Sequence, residues 1–208
     1  MHLPDGSLSV PVWVATDALA IGAVAVSARL SARKLGDRRA PLMGVMGAFV
    51  FAAQMVNFPL PGGTSGHLLG AVLLAVLLGP AVATLVMFCV LLVQALLFQD
   101  GGLTALGANL VNMGLCGSLG GFFVYRLVGG KRPGTRRDLA IVLACWLAVV
   151  AGALLAGLEL WLSGTAPLGP VLLAMGTVHA VVGLVEGLIT VAAVRLLAAA
   201  RPGLLEAA

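Results

Sequence analysis

Charge is what this 208-residue sequence has least of: Asp, Glu, Lys and Arg make up 10% of it, against about 25% in a soluble domain. None of the four occurs from Ala40 through Gln99. With hydrophobic residues at 61% and a mean hydropathy of +1.11, that scarcity excludes a water-soluble globule and leaves a polytopic membrane protein. A phosphate loop of the form G-x-x-x-x-G-K-[ST] is also missing, because Gly130-Lys131 lacks the preceding glycine at the required spacing. ATP hydrolysis by this chain is therefore excluded. Cysteine is scarce: Cys89, Cys116 and Cys145 lie in apolar segments without C-x-x-C or His-paired spacing, which excludes a cysteine-based metal site and predicts three core side chains. Finally, no Lys or Arg precedes Arg29. The start lacks the basic n-region of a secretory signal, so the N-terminus is expected to be retained.

Apolar length does the rest. About 20 apolar residues cross a bilayer as a helix, and the sequence predicts seven segments: 12–30, 41–58, 68–78 (short, ended by Gly79-Pro80), 81–98, 103–128, 139–162 and 171–197. The basic residues form three groups: Arg29, Arg33, Lys34, Arg38 and Arg39; Arg126, Lys131, Arg132, Arg136 and Arg137; and Arg195 with Arg201. Seven spans place all three on one side, which the positive-inside rule assigns to the cytoplasm. The N-terminus is then outside and the C-terminus cytoplasmic, in a bacterial cytoplasmic (inner) membrane. The net charge of +4 is thus a topology signal; lipid is the implied partner, and no nucleic acid is. No repeat or linker divides the chain, so residues 1–208 read as a single all-α membrane domain. Gly117 and Gly121, four apart, predict ordinary close helix packing.

Against this background the stretch N-F-P-L-P-G-G-T-S-G-H-L-L-G at 57–70 stands out. Pro59 and Pro61 cannot continue a helix, so the segment reads as a loop presenting His67. The topology puts it on the face that also carries the N-terminus, M-H-L-P-D-G, and the Asp100 turn. The α-amine of Met1, the amide nitrogen of His2 and the His2 imidazole can wrap one metal ion in adjoining chelate rings, and His67 would complete a planar four-nitrogen set. That geometry suits Ni(II) and Cu(II), and low-spin Co(II) tolerates it; zinc prefers a tetrahedron. Residues 1–11 would then be a plug and 57–67 an external loop, with Pro4, Asp5 and Gly6 turning the peptide back. The plainer reading makes His2 a solvated terminal residue and His67 a capping group.

Four motifs carry a resemblance: M-H-L-P-D-G, the 57–70 loop, Q-A-L-L-F-Q-D-G-G-L-T-A-L-G-A-N-L-V-N-M-G at 94–114, and H-A-V-V-G-L-V-E-G-L-I-T at 179–190. Together, in order and over nearly the full length, they resemble the CbiM family, the substrate-binding membrane subunits of energy-coupling-factor cobalt transporters, close kin of the nickel subunit NikM. The chain departs from the pattern at Ser7, where an aromatic is common, and at Gln99, where Gly is usual. The resemblance implies Co2+ as transported substrate, for cobalamin biosynthesis, with Ni2+ as the alternative. It implies metal ligation by Met1, His2 and His67. It also implies three partners: a CbiQ-like coupling protein, a CbiO-like ATPase and a CbiN-like small membrane subunit.

The remaining polar residues within the spans are read more openly. Asn109 and Asn112 share a helix face and either support the ligand set through hydrogen bonds or make an unrelated interhelical bond. His179 and Glu186 share a face of the last span and predict a structural network with Glu159 or Gln94. Asp17 would hold the N-terminal segment, and Asp100 would be a turn or cap residue. Ser65 and His67 lack the orienting acid of a hydrolase, so no enzyme is expected. A membrane scaffold without a metal site is the alternative of another class.

Overall fold

The computed structural model of the chain describes residues 1–32, 40–56, 58–60, 64–130 and 132–200. The predicted loop residues Asn57, Pro61, Gly62 and Gly63 and the charges Arg33, Lys34, Arg38, Arg39, Lys131 and Arg201 lie outside the described residues. Seven helices are found among the described residues: α1 (Val10–Ala32), α2 (Ala40–Met55), α3 (Ala71–Leu78), α4 (Pro80–Phe98), α5 (Leu106–Val128), α6 (Thr135–Leu162) and α7 (Leu168–Ala200). A short antiparallel pair, β1 (Phe58–Leu60) and β2 (Thr64–Gly66), lies between α2 and α3. Because α1 begins at Val10, the last two residues of the expected plug belong to a helix instead.

Five helices, α1, α4, α5, α6 and α7, are long and apolar enough to cross a membrane. The third predicted span is corrected. All eight residues of α3 are buried, and at 1.5 Å per residue it is about 12 Å long, against a hydrocarbon thickness of about 30 Å. The sequence could not reveal this, because a helix sunk in protein and one facing lipid are both apolar all round. Gly79 at φ 84 then turns the chain into Pro80, which opens α4. Large apolar side chains such as Ile21, Val45, Leu127, Leu188 and Leu196 face outward. Cys89 is exposed as well and Cys116 half-buried; only Cys145 is the core side chain expected of all three.

Small residues set the close packing. A Cβ at Gly183 or Gly187 would meet the backbone of Trp146 at 3.0 Å or of Val142 at 2.9 Å, so α6 and α7 pack nearly backbone to backbone. Trp146 ties the pair by donating from its indole to the Ala180 carbonyl at 3.0 Å. Gly117 and Gly121 are bundle contacts, against Ala71 of α3 and against Val72 and Ala148. Thr165, in the α6–α7 turn, reaches Ser7 in the N-terminal segment. The described cations Arg29, Arg126, Arg136, Arg137 and Arg195 stand at the opposite ends of their helices, with Arg132 in the turn between α5 and α6, and there Arg195 pairs with Asp138.

The end of α4 explains one departure noted above. Gln99 sits in the left-handed region, at φ 53 and ψ 27, and among the described residues it alone does so without being glycine. A side chain there costs about 1 kcal/mol. Gln99→Gly is therefore expected to raise the melting temperature in detergent, with a gain of up to about 1 kcal/mol; a lower melting temperature would mean the Gln99 side chain has a role of its own.

Candidate metal centre

Residues 1–9 descend into the bundle, and each step of the descent is bonded. Thr165 Oγ1 donates to the Ser7 carbonyl at 2.6 Å. Asp5 Oδ1 accepts from the Thr104 amide at 2.7 Å and its hydroxyl at 2.6 Å, and these bonds hold the Asp5 carboxyl below the usual range. Gly102 N donates to the Leu3 carbonyl at 2.9 Å. Any side chain on Gly102 would overlap the backbone of Asp5, so this approach demands glycine. Asn109 makes a two-bond clamp like that of a neighbouring strand: Oδ1 accepts from Leu3 N at 2.8 Å and Nδ2 donates to Leu3 O at 3.0 Å. Removing the clamp leaves a buried amide without its acceptor, at about 1–3 kcal/mol. Asn109→Ala should therefore speed hydrogen exchange at the Leu3 amide; unchanged protection would show that the plug is held by its other bonds.

At the tip, Met1 is 3% exposed and its methyl group rests at Gly152, where a Cβ would overlap the Asn112 carbonyl oxygen. Gly152 lies well inside α6, about 15 Å from the end at Leu162. The centre is entered from the plug end but sits inside the bundle, deeper than the expectation of an outer-face site.

The three expected residues converge there. The Met1 amine nitrogen is 3.5 Å from His67 Nε2, and the rings of His2 and His67 meet edge to face with centroids 4.7 Å apart. His67 Nδ1–H donates to the Leu68 carbonyl at 3.0 Å, which leaves the Nε2 lone pair facing the amine. His2 Nδ1–H donates to the Asp100 carbonyl at 2.9 Å, with the Asp100 carboxylate 3.4 Å away. His2 Nε2 is buried without a partner among the described residues. Asp100, expected only to make a turn, orients an imidazole.

Burial sets the protonation of the group. It lowers the Met1 amine from 8.0 to about 5, although the Asp100 charge opposes the shift. Burial also lowers His2, again against Asp100. His67 is pushed well below its ordinary value by burial, the amine and His2. Burial thus favours the neutral form of all three nitrogen bases. Among the described residues no cluster of three or more His, Cys, Asp or Glu side chains could hold a metal; an ion held here would need the main-chain nitrogen of Met1 as well.

Two residues that the sequence reading did not connect to His67 position its loop. Glu186 of α7 accepts from Leu69 N at 2.7 Å and from Gly70 N at 3.1 Å. Gln54 of α2 donates to the Leu69 carbonyl at 2.6 Å. The signal was an acid in an apolar span with no basic partner nearby. The expected network of His179, Glu186, Glu159 and Gln94 does not form. Glu159 instead accepts from Asn112 Nδ2 at 2.6 Å, and His179 Nδ1 donates to the Met175 carbonyl at 2.8 Å. Asp17 does not hold the plug; it accepts from Gly107 N at 2.8 Å in the first turn of α5. Of the two asparagines, Asn109 touches the plug and Asn112 bonds elsewhere.

Known proteins share this arrangement of chain. Residues 2–204 match the family described as CbiM, cobalt uptake substrate-specific transmembrane region. A putative fused nickel transport protein NikMN of Archaeoglobus fulgidus is 41% identical over 99% of this chain and 68% of its own length. The cobalt transport protein CbiM of Sorangium cellulosum is 36% identical over 99% of this chain and 95% of its own. A crystal structure of a transition metal transporter superimposes with a TM-score of 0.87 at 34% identity, covering 95% of this chain and 92% of the other.

Proposed function

The chain belongs to the CbiM family of cobalt-uptake membrane proteins, and from that premise we propose that it captures a divalent transition-metal ion with nitrogen from Met1, His2 and His67. It is a multi-pass membrane transport component, not an enzyme. The observation that carries the ligand assignment is the buried approach of the Met1 amine to His67 Nε2, at 3.5 Å, with the His2 ring against the same imidazole. In the proposed bound state the His2 ring makes a half-turn. Nδ1, released from the Asp100 carbonyl, then closes the chelate with its own amide.

The substrate is Co2+ in this reading, with Ni2+ the alternative. Four planar nitrogens accept both, and the relatives include nickel and cobalt transport proteins. Residues 1–208 act as one substrate-binding unit in the cytoplasmic membrane, N-terminus outside, with energy from a CbiO-like ATPase through a CbiQ-like coupling protein and a CbiN-like subunit. The basic residues gathered at the end away from the plug support that orientation. The test is metal analysis of the purified chain. The wild type should retain cobalt or nickel through gel filtration, and competition between the two ions names the substrate. His67→Ala should lose more than about 100-fold in affinity, given that even a supporting residue is worth about 10–100-fold. Retained binding in His67→Ala would return the chain to the scaffold reading.

A further inference from the structure

An ionisable side chain inside an apolar span is expensive, and one that is kept there points to function. Glu186 is such a side chain. It lies in the middle of α7, is 2% exposed, and pairs with no cation among the described residues. Capping the amides of Leu69 and Gly70 does not by itself require an acid, because a single neutral amide oxygen has two lone pairs. The choice of a carboxyl group here has a further reason, and the bonds it makes supply one.

The amide N–H of Leu69 and the carbonyl of Leu68 are the two ends of one planar, conjugated peptide group. Glu186 Oε2 accepts from that N–H at 2.7 Å, and that carbonyl accepts from His67 Nδ1–H at 3.0 Å. The next peptide group is held in the same way. Glu186 Oε1 accepts from Gly70 N at 3.1 Å, and Gln54 Nε2 donates to the Leu69 carbonyl at 2.6 Å. Only the first of these two groups leads to His67. Hydrogen bonds joined in a chain polarise one another, the more so where water is excluded, and Leu69 and His67 are 1% and 2% exposed. A carboxylate at the N–H end shifts electron density toward the Leu68 oxygen, which then draws more strongly on the imidazole proton. The ring gains density at Nε2, the atom 3.5 Å from the Met1 amine. A carboxylate bonded directly to a ligating histidine fixes the ring and raises its basicity. Here a peptide group stands between the two.

We propose that Glu186 is a positioning residue of the capture site that acts through the Leu68–Leu69 peptide group, fixing the His67 ring and strengthening Nε2 as a donor to the transported ion. This rests on the reading of His67 as a ligand, and the test separates the two. The probe is Ni2+ added to the purified full chain, since four planar nitrogens suit this ion and leave it diamagnetic for resonance measurements. Glu186→Gln keeps the size and one acceptor oxygen. It should weaken nickel binding by at least about tenfold, the lower end for a group that supports a ligand. It should also move the d–d absorption of the bound ion to longer wavelength and, in the metal-free chain, move the His67 Nδ1–H resonance upfield. Gln54→Leu removes a bond to the same loop but not to the peptide group that His67 holds. Its nickel should bind less tightly with the absorption band in place. A mere staple on the loop predicts equal losses from both variants and a stationary band, and that result overturns the proposal. So does undiminished binding in Glu186→Gln, or a band that moves equally in both. If the unmutated chain binds no nickel, the capture reading fails, and the His67 Nδ1–H resonance of the metal-free proteins still decides: no movement in Glu186→Gln overturns the relay. Should Glu186→Gln not fold, the unmutated chain answers. Nickel draws density along the whole chain of bonds, so the His67 Nδ1–H and Leu69 N–H resonances should move downfield together, and a stationary Leu69 resonance overturns the proposal.

Discussion

A chain extended by one alanine ahead of Met1 is expected to enter the membrane in normal amount and to bind cobalt or nickel at least about 100-fold more weakly, since an indirect support alone is worth about 10–100-fold. Two effects combine. Acylating the Met1 nitrogen turns a basic amine into an amide, whose lone pair is delocalised into the carbonyl, and the chelate loses its first member. The added residue must also enter a space that holds Met1 at 3% exposure, with His67 Nε2 at 3.5 Å. The extension changes no residue of α1 to α7, so the amount of protein in the membrane should stay near that of the unextended chain. Proteolytic removal of the extra residue should restore binding. A scaffold without a metal site would be indifferent to the extension, and so would a centre built on histidine side chains alone. Undiminished binding in the extended chain removes the amine from the ligand set.

The sequence carried the spans because lipid enforces them. Within the charge-free stretch from Ala40 through Gln99, any segment that crosses lipid as a single element must be helical and apolar-faced, because only then is its backbone satisfied within the segment. The meeting of Met1, His2 and His67 was legible for a related reason: parity of spans puts the N-terminus and the 57–70 loop at one end of the bundle. Depth was not legible. Parity places an atom on a side, whereas the descent to Gly152 depends on the Asn109 clamp on Leu3 and the Thr104 bonds to Asp5. Neither partner is marked by spacing. The same holds for Glu186, where helical periodicity gave its neighbour on the face, His179, although its real partners are the amides of Leu69 and Gly70. A residue bonded to main chain leaves no complementary side chain to find in a sequence. Gln99 is the converse, because its departure from the family glycine is readable only once φ 53 is seen. Short helices buried in protein are a further blind spot: α3 has the composition of a span and the length of about two turns.

Calorimetry at pH 7 in buffers of different ionisation enthalpy is expected to show about one proton released per ion bound, and the affinity to fall about tenfold per pH unit from pH 8 to about 5. The count follows from burial. With the amine lowered to about 5 and both imidazoles below their ordinary range, the three bases are neutral in the docked plug at pH 7. Only the His2 amide then has a proton to lose. A solvated amine near 8 and ordinary imidazoles would add further protons, and the affinity would fall two to three times as steeply in logarithmic terms. The same shift governs the empty plug. Its amine is a base with a depressed docked value, so the undocked form binds more protons between about 5 and 8.0. The amine's contribution to docking is therefore fully present above pH 8 and is lost by about 1.4 kcal/mol per unit as the pH falls, until the docked amine itself protonates near 5. Labelling of Ser7→Cys by a soluble maleimide should rise through that window in the empty protein and be suppressed by bound ion. A release of two or three protons at pH 7, with labelling that ignores pH, would mean that the nitrogens are solvated and the centre is assembled only when the metal arrives.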